Sequence, residues 1–166
     1  MTARMRAALL LSSAACLLLL AGCGTDTQAP PSQTSSAPPP EISESVDLYA
    51  EIIVAAYTEW APAPGYSSRQ SARGPHGEEV QIFIDPTAEE TLAGGAAEWP
   101  TGAIIAKDIY RAGELIQIAA MKKTDGGWYW GEWDALGEPI AEGLRVEPCE
   151  GCHASGTDGT LGVTLE

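Results

Sequence analysis

Residues 103–133 read AIIAKDIYRAGELIQIAAMKKTDGGWYWGEW. Three runs of β-branched, aliphatic or aromatic residues are separated here by short polar breaks. Ala103–Tyr110 reads as a strand, with Ile105, Lys107 and Ile109 on one face and Ile104, Ala106 and Asp108 on the other. Leu115–Lys122 is a second strand, and Trp128–Trp133 a third, dense in aromatics. Lys123-Thr124-Asp125-Gly126-Gly127 carries a hairpin signal between the last two. Turns this tight join antiparallel neighbours.

Upstream, Val80–Asp85 alternates as a half-buried strand, with Val80, Ile82 and Ile84 facing one way and Gln81, Phe83 and Asp85 the other. Pro86 closes it. Thr87-Ala88-Glu89-Glu90 has the form of a capping box, and Gly94-Gly95 stops the short helix that follows. Residues 65–78 read as a loop ending in Gly74-Pro75-His76-Gly77. A helix is expected over Val46–Trp60, capped by Ser43 or Ser45, with Leu48, Ile52, Ala55 and Ala56 at helical spacing. Tyr49, Ile53 and Trp60 widen its apolar face, and Pro62 and Pro64-Gly65 end it. Downstream, Asp134–Pro148 is turn-rich around a small apolar segment, and Leu161–Leu165 is a candidate last strand. The fold class expected is α+β, a mostly antiparallel sheet with a few short helices. No four long amphipathic helices are present, which argues against a helical bundle.

Near the C-terminus stands Cys149-Glu150-Gly151-Cys152-His153. C-x-x-C-H is the attachment spacing of c-type haem. Two thiols add across the two vinyl groups, and the histidine that follows comes under the iron as proximal ligand. A redox dithiol and half of a zinc site are the competing readings. The first belongs beside a βαβ pattern, which is not seen. The second needs two more Cys or His ligands nearby, and the only other histidine is His76. The expectation is therefore one covalent haem c, held by Cys149, Cys152 and His153. A class-one cytochrome c would place this motif early and a ligating Met well downstream. Here nothing after His153 ligates iron strongly.

The N-terminus reads as an export signal. Arg4 and Arg6 precede an apolar run, Ala7–Leu20, of about 14 residues, short of the roughly 20 that a membrane span needs. The run ends in Leu20-Ala21-Gly22-Cys23, which resembles the bacterial lipobox. Residues 1–22 are then a lipoprotein signal peptide and Cys23 the lipidation site, with two or three acyl chains giving stable membrane anchoring. Residues 23–44 continue as a tether rich in Pro, Ser and Thr, too polar to build a core. Residues 45–166 form the one folded domain. Of four cysteines, Cys16 leaves with the signal, Cys23 takes lipid, and Cys149 and Cys152 take haem. An exported chain suits haem attachment of this kind. The expected place is the cell envelope, with the haem domain facing the periplasm or outer side.

Nine Lys and Arg, two of them Arg4 and Arg6 in the signal, oppose 23 Asp and Glu. The chain from Cys23 onward therefore carries a formal charge of about −16 before haem. That excludes nucleic acid as a partner, since its phosphates ask for a basic surface. It suits solubility, and electrostatic steering of a basic redox partner protein.

Four features in this order resemble the cytochrome P-460 family, which includes the beta-rich cytochromes c′ (cytochrome c′-beta). They are Ile82-Phe83-Ile84-Asp85-Pro86 before a short helix; Gly102-Ala103-Ile104-Ile105-Ala106-Lys107-Asp108; the Gly127-Trp128-Tyr129-Trp130 strand followed by Asp134 and Gly137; and Cys149–His153 followed by Asp158. The resemblance implies a five-stranded, mostly antiparallel sheet, a homodimer, and a five-coordinate haem that binds nitric oxide or carbon monoxide. It also implies that Lys107 matches the lysine which P-460 enzymes join covalently to the haem edge when they oxidise hydroxylamine. Burial of Lys107 among Ile105 and Ile109 would lower its pKa and free a nucleophilic amine. A strand lysine whose ammonium snorkels to water is the alternative.

The distal carboxylate of those enzymes has Ile118 at the matching position, with Glu114 and Glu132 as spatial substitutes. An apolar residue there favours ligand binding or redox chemistry over hydroxylamine oxidation. Met121 and His76 are candidate sixth ligands. Met121 otherwise fills a gap in the core, and His76 otherwise sits exposed in its loop. Phe83, Tyr110, Trp128, Trp130 and Trp133 are the aromatic supply for core or haem pocket. Arg111 and Arg145 are candidates to pair with haem propionates.

Overall fold

The computed structural model describes residues 47–72 and 74–165. These lie within one compact unit, residues 43–166. The signal peptide, the Cys23 lipidation site, the tether, and the Ser43 and Ser45 caps all fall outside the described residues.

The element order is α1 (Leu48–Val54), a 3₁₀ turn (Tyr57–Glu59), β1 (Ala61–Pro62), β2 (Gln70–Ser71), β3 (Glu79–Ile84), α2 (Pro86–Gly94), β4 (Ile104–Arg111), β5 (Glu114–Thr124), β6 (Gly127–Asp134), β7 (Pro139–Leu144) and α3 (Glu147–His153). Strands β3 to β7 run as an antiparallel meander, and β1 and β2 both pair with the outer side of β3. The described residues thus form one seven-stranded sheet whose five longer strands are consecutive neighbours. This is the mostly antiparallel α+β fold expected from the turn spacing.

Both faces of the sheet are covered. On one, Leu48 and Ile52 of α1 pack with Phe83, Ile104, Ile118 and Trp133. On the other, Ile82, Ile105, Met121, Trp128 and Trp130 pack with α2 and with Val163 and Leu165 of the C-terminal segment. Double coverage explains why Ile104–Asp108 is buried almost continuously instead of in alternation.

Local chemistry moved several boundaries. The cap of α1 is Asp47, whose carboxylate accepts from Ala50 N at 2.9 Å. The helix stops at Val54, not Trp60, because Ala56 turns left-handed at φ 49°. Ala55 and Ala56 are consequently exposed. Asp85 rather than Thr87 caps α2, accepting from Ala88 N at 2.9 Å with Pro86 in the first turn, and Gly95 ends the helix at φ 64°. Strand β7 was hidden in the turn-rich stretch, and β1 and β2 were hidden in loops. Leu161–Leu165 is not a strand. Its one neighbouring bridge, Thr157 to Thr160, belongs to a tight turn.

Gly131 is a packing requirement. A Cβ there would lie 2.1 Å from the Trp133 ring, which folds back over it while touching Tyr49 at a centroid distance of 5.1 Å. Gly131→Ala should therefore destabilise the fold by about 1–3 kcal/mol through overpacking. Gly94→Ala, with nothing within 4 Å of the new methyl, should be neutral or stabilising by up to ~1 kcal/mol. Urea unfolding followed by tryptophan fluorescence checks both.

Candidate functional site

Helix α3 carries Cys149, Cys152 and His153 within two turns. Cysteines three apart are neighbours on a helix surface. Both are free thiols, Cys149 half-buried and Cys152 exposed. Cys149 leans on the core that holds Trp128 and Trp130. Burial pushes its thiol pKa up, the Glu132 carboxylate adds to this, and Lys107 opposes it. Redox-active dithiols instead have a depressed pKa on the attacking sulfur. The electrostatics are those of a protonated, unactivated thiol.

His153 Nδ1 lies 2.9 Å from the carbonyl oxygen of Gly159. A carbonyl only accepts, so Nδ1 carries the hydrogen and Nε2 keeps a free lone pair. The ring packs edge-on to Trp130, with centroids 4.8 Å apart. Its pKa is lowered, first by burial and also by Lys107, while the Gly159 bond works the other way. The result is a neutral imidazole in the tautomer that ligates a metal through Nε2.

Lys107 stands on the same sheet face. Across the strands it registers with Ile82 on one side and with Ala119, then Glu132, on the other. Directly paired residues share a face, so Lys107 and Glu132 flank the small Ala119. Desolvation lowers the Lys107 pKa to about 8, against the carboxylate of Glu132, which raises it. At pH 7 about one such lysine in ten is neutral. Lys107 as a whole is half-buried, an exposure that a packed stem with a snorkelling ammonium shares.

Ile118 does not face Lys107. It registers with Asp108 and Trp133 and packs into the α1 side of the sheet. One residue of strand reverses the side-chain direction, so the position opposite Lys107 belongs to Ala119. Glu132 therefore supplies the carboxylate on this face. Glu114 lies exposed at the start of β5, paired with Arg111 at the other end of the hairpin.

His76 is half-buried rather than exposed, its ring centroid 6.4 Å from that of His153. Gly77 makes this approach: at φ 67°, an added Cβ would meet Ile109 Cγ2 at 2.7 Å and the Tyr110 carbonyl oxygen at 2.8 Å. The loop is thereby pressed onto the sheet beside Lys107. No side-chain hydrogen bond to His76 forms among the described residues.

A cleft of about 420 Å³ opens beside His153, lined among others by Trp128, Trp130, Lys123, Arg145 and Gly159. Arg145 is thus brought to the site and Arg111 is not. Lys123 was missed, because on the strand pattern it is only a hairpin flank. Of the aromatics, Trp128 and Trp130 face the site. Phe83 and Trp133 pack on the far side against α1. Tyr110 donates to Asp108 at 3.0 Å beneath the Arg69 guanidinium. Met121 is buried between Ile105 and Trp130 in the ladder.

Among the described residues no three His, Cys, Asp or Glu side chains cluster as a metal cage. A haem asks for less from the protein: two thiols and one imidazole with a free nitrogen. The residues present fit that group.

Burial, then the charges of Lys107 and His153, lowers the His76 pKa to about 4. In the unfolded chain it titrates near its ordinary 6.5. Between these values the unfolded state binds more protons, so stability falls as pH drops from about 6.5 towards 4 and is flat above. His76→Asn should flatten part of that slope. Urea midpoints of the haem-free chain and the variant at about pH 7 and about pH 5 check this.

The chain matches no protein-family model, and no curated protein matches it either; the chemistry of the site is read from its own residues.

Proposed function

We propose that this chain is a mono-haem c-type cytochrome, anchored to a cell-envelope membrane through lipidated Cys23, with His153 as proximal ligand. The reading includes kinship with the cytochrome P-460 and cytochrome c′-beta proteins. The observation that carries it is the state of His153. Its Nδ1–H is engaged by Gly159, its Nε2 is free, and two free thiols precede it on the same short helix. Bound there, haem c supplies an iron that takes up small ligands such as nitric oxide and exchanges single electrons.

The chain's own residues do the rest. Cys149 and Cys152 hold the group, and Trp128 and Trp130 exclude water from one side of His153. Arg145 brings positive charge to the cleft for carboxylate groups, while Lys123 in the same lining is paired with Asp158. A redox partner protein and a homodimer belong to the same proposal, the first suited by the acidic surface.

Protein exported with its own signal in a host competent for c-type maturation should give a pyridine haemochrome spectrum and the mass of one haem per chain. Cys149→Ser with Cys152→Ser should lose more than nine-tenths of that covalent haem. Carbon monoxide should shift the reduced spectrum at once if the iron is five-coordinate. A sluggish response would instead point to His76, whose ring stands beside His153, since Met121 is buried in the core. A colourless product would end the proposal.

The Lys107 geometry favours a second reading, a hydroxylamine-oxidising enzyme with Lys107 joined to the haem edge. A lysine whose pKa burial lowers to about 8 and the Glu132 carboxylate on one half-buried face give it a nucleophile and a base. In that case Cys149→Ala with Cys152→Ala protein keeps haem through denaturation, and adding Lys107→Arg releases it. Intact mass spectrometry reads both outcomes. Loss of haem from the double cysteine variant would exclude the bond.

A further inference from the structure

The carbonyl that engages His153 comes from a turn that is itself unusually well fastened. Thr157-Asp158-Gly159-Thr160 closes through Thr160 N to Thr157 O at 3.0 Å. Asp158 and Gly159 both have positive φ, 45° and 78°, the pattern of a type I′ turn. A non-glycine residue in that region is strained unless its surroundings hold it. Three bonds hold Asp158. Its Oδ2 accepts from Trp99 N at 2.8 Å, its Oδ1 meets Lys123 Nζ at 2.6 Å, and its own carbonyl accepts from Trp128 Nε1 at 2.7 Å. The two partners of the ion pair are only 19% and 21% exposed in their side chains. Such enclosure makes the pair worth more than a surface contact. Trp128 also sits so close to Gly159 that an added Cβ would lie 2.9 Å from its indole.

These contacts do not touch His153. They aim one carbonyl at it. We propose that Asp158, clamped by Lys123, the Trp99 backbone N–H and the Trp128 indole, is a positioning residue that fixes the tautomer and orientation of His153 through Gly159. The site it serves is the haem site of the preceding section, and the proposal rests on that reading for its effect on iron. A proximal imidazole whose second nitrogen donates to a carbonyl is a stronger donor to the metal, and outer partners of this kind tune affinity and potential. Lys123 reaches from β5 and Trp128 from β6, so the sheet itself sets the strength of that bond. Removing the clamp lets Gly159 drift, weakens the Nδ1–H bond and leaves the oxidised iron less stabilised.

Two measurements on Asp158→Ala and Lys123→Met test this, each variant first shown folded by urea unfolding. The first uses haem-free chain and reads the His153 tautomer by ¹⁵N NMR above the pKa of the ring. The ratio of Nδ1–H to Nε2–H should fall about fivefold, the worth of one net hydrogen bond. Lys123→Arg should restore it. The second uses the exported, haem-loaded protein, where the midpoint potential should rise in both variants with haem content unchanged. If Asp158→Ala does not fold, Lys123→Met decides, since it keeps the Asp158 bond to Trp99. An unchanged ratio or an unchanged potential in a folded variant overturns the proposal. A colourless wild type overturns the haem reading instead, while the tautomer ratio still decides the clamp.

Discussion

One hydrogen bond, His153 Nδ1–H to the Gly159 carbonyl, decides what the C-terminal motif is able to do. A C-x-x-C-H peptide free in solution leaves its imidazole either tautomer and any orientation. Here a 2.9 Å contact selects the form with Nε2 open. That contact exists because the chain returns to the sheet after α3 and is pinned there by Asp158. The meander supplies both anchors, Lys123 at the end of β5 and Trp128 at the start of β6. Strand register, turn geometry and ligand chemistry are therefore one problem rather than three. A slip of β6 by one residue against β5 would turn Trp128 to the α1 face and open the clamp.

The same face explains the unusual lysine. A lone ammonium in a protein core is costly, and the group responds by shedding its proton rather than by staying charged. Lys107 is kept partly charged by Glu132, two strands away across the small Ala119. Burial first, and the Lys107 charge after it, lowers the pKa of both His76 and His153. A structural core gains little from such an arrangement, because apolar residues of equal volume would pack there without the desolvation cost.

The parts of this site that follow from local spacing were legible in the sequence. Cys149, Cys152 and His153 are defined by a pentapeptide, and the alternation of 103–110 placed Lys107 on an apolar face. Parts set by register were not. The resemblance matches Ile118 to a distal carboxylate, but the pairing puts Ile118 on the α1 side of the sheet, away from Lys107. Glu132 emerged only as one of two spatial substitutes, since no local pattern ties β6 to β4. Asp158 enters the sequence reading only through the resemblance, as the residue that follows Cys149–His153, and its part as a clamp depends on Lys123 and Trp128 from distant strands. Strand β7 escaped because Pro139 and Gly143 dilute its pattern, which an edge strand tolerates and a central one does not. Helix α1 came out shorter than its apolar spacing suggested because Asp47 and Ala56, not the periodicity, set its ends.

Charge scarcity gives the placement of the cations its meaning. Seven Lys and Arg lie beyond Cys23 against 23 Asp and Glu. Lys107, Lys123 and Arg145 all lie on the His153 side, and Lys122 is spent on Glu51 at 2.7 Å, tying α1 to β5. Arg69 stacks on Tyr110. Lys123 and Arg145 line the cleft together with Glu150 and Asp158. Glu147 and Glu150 sit on the short helix that carries the two thiols. Under the proposed function, Arg145 serves an inner recognition task and the acidic exterior an outer one. The inner one suits the acidic side chains of a prosthetic group, and the outer one suits the approach of a basic protein from solution. Because the outer field is screened within about 8 Å at physiological salt, it governs encounter and leaves the chemistry to the buried groups.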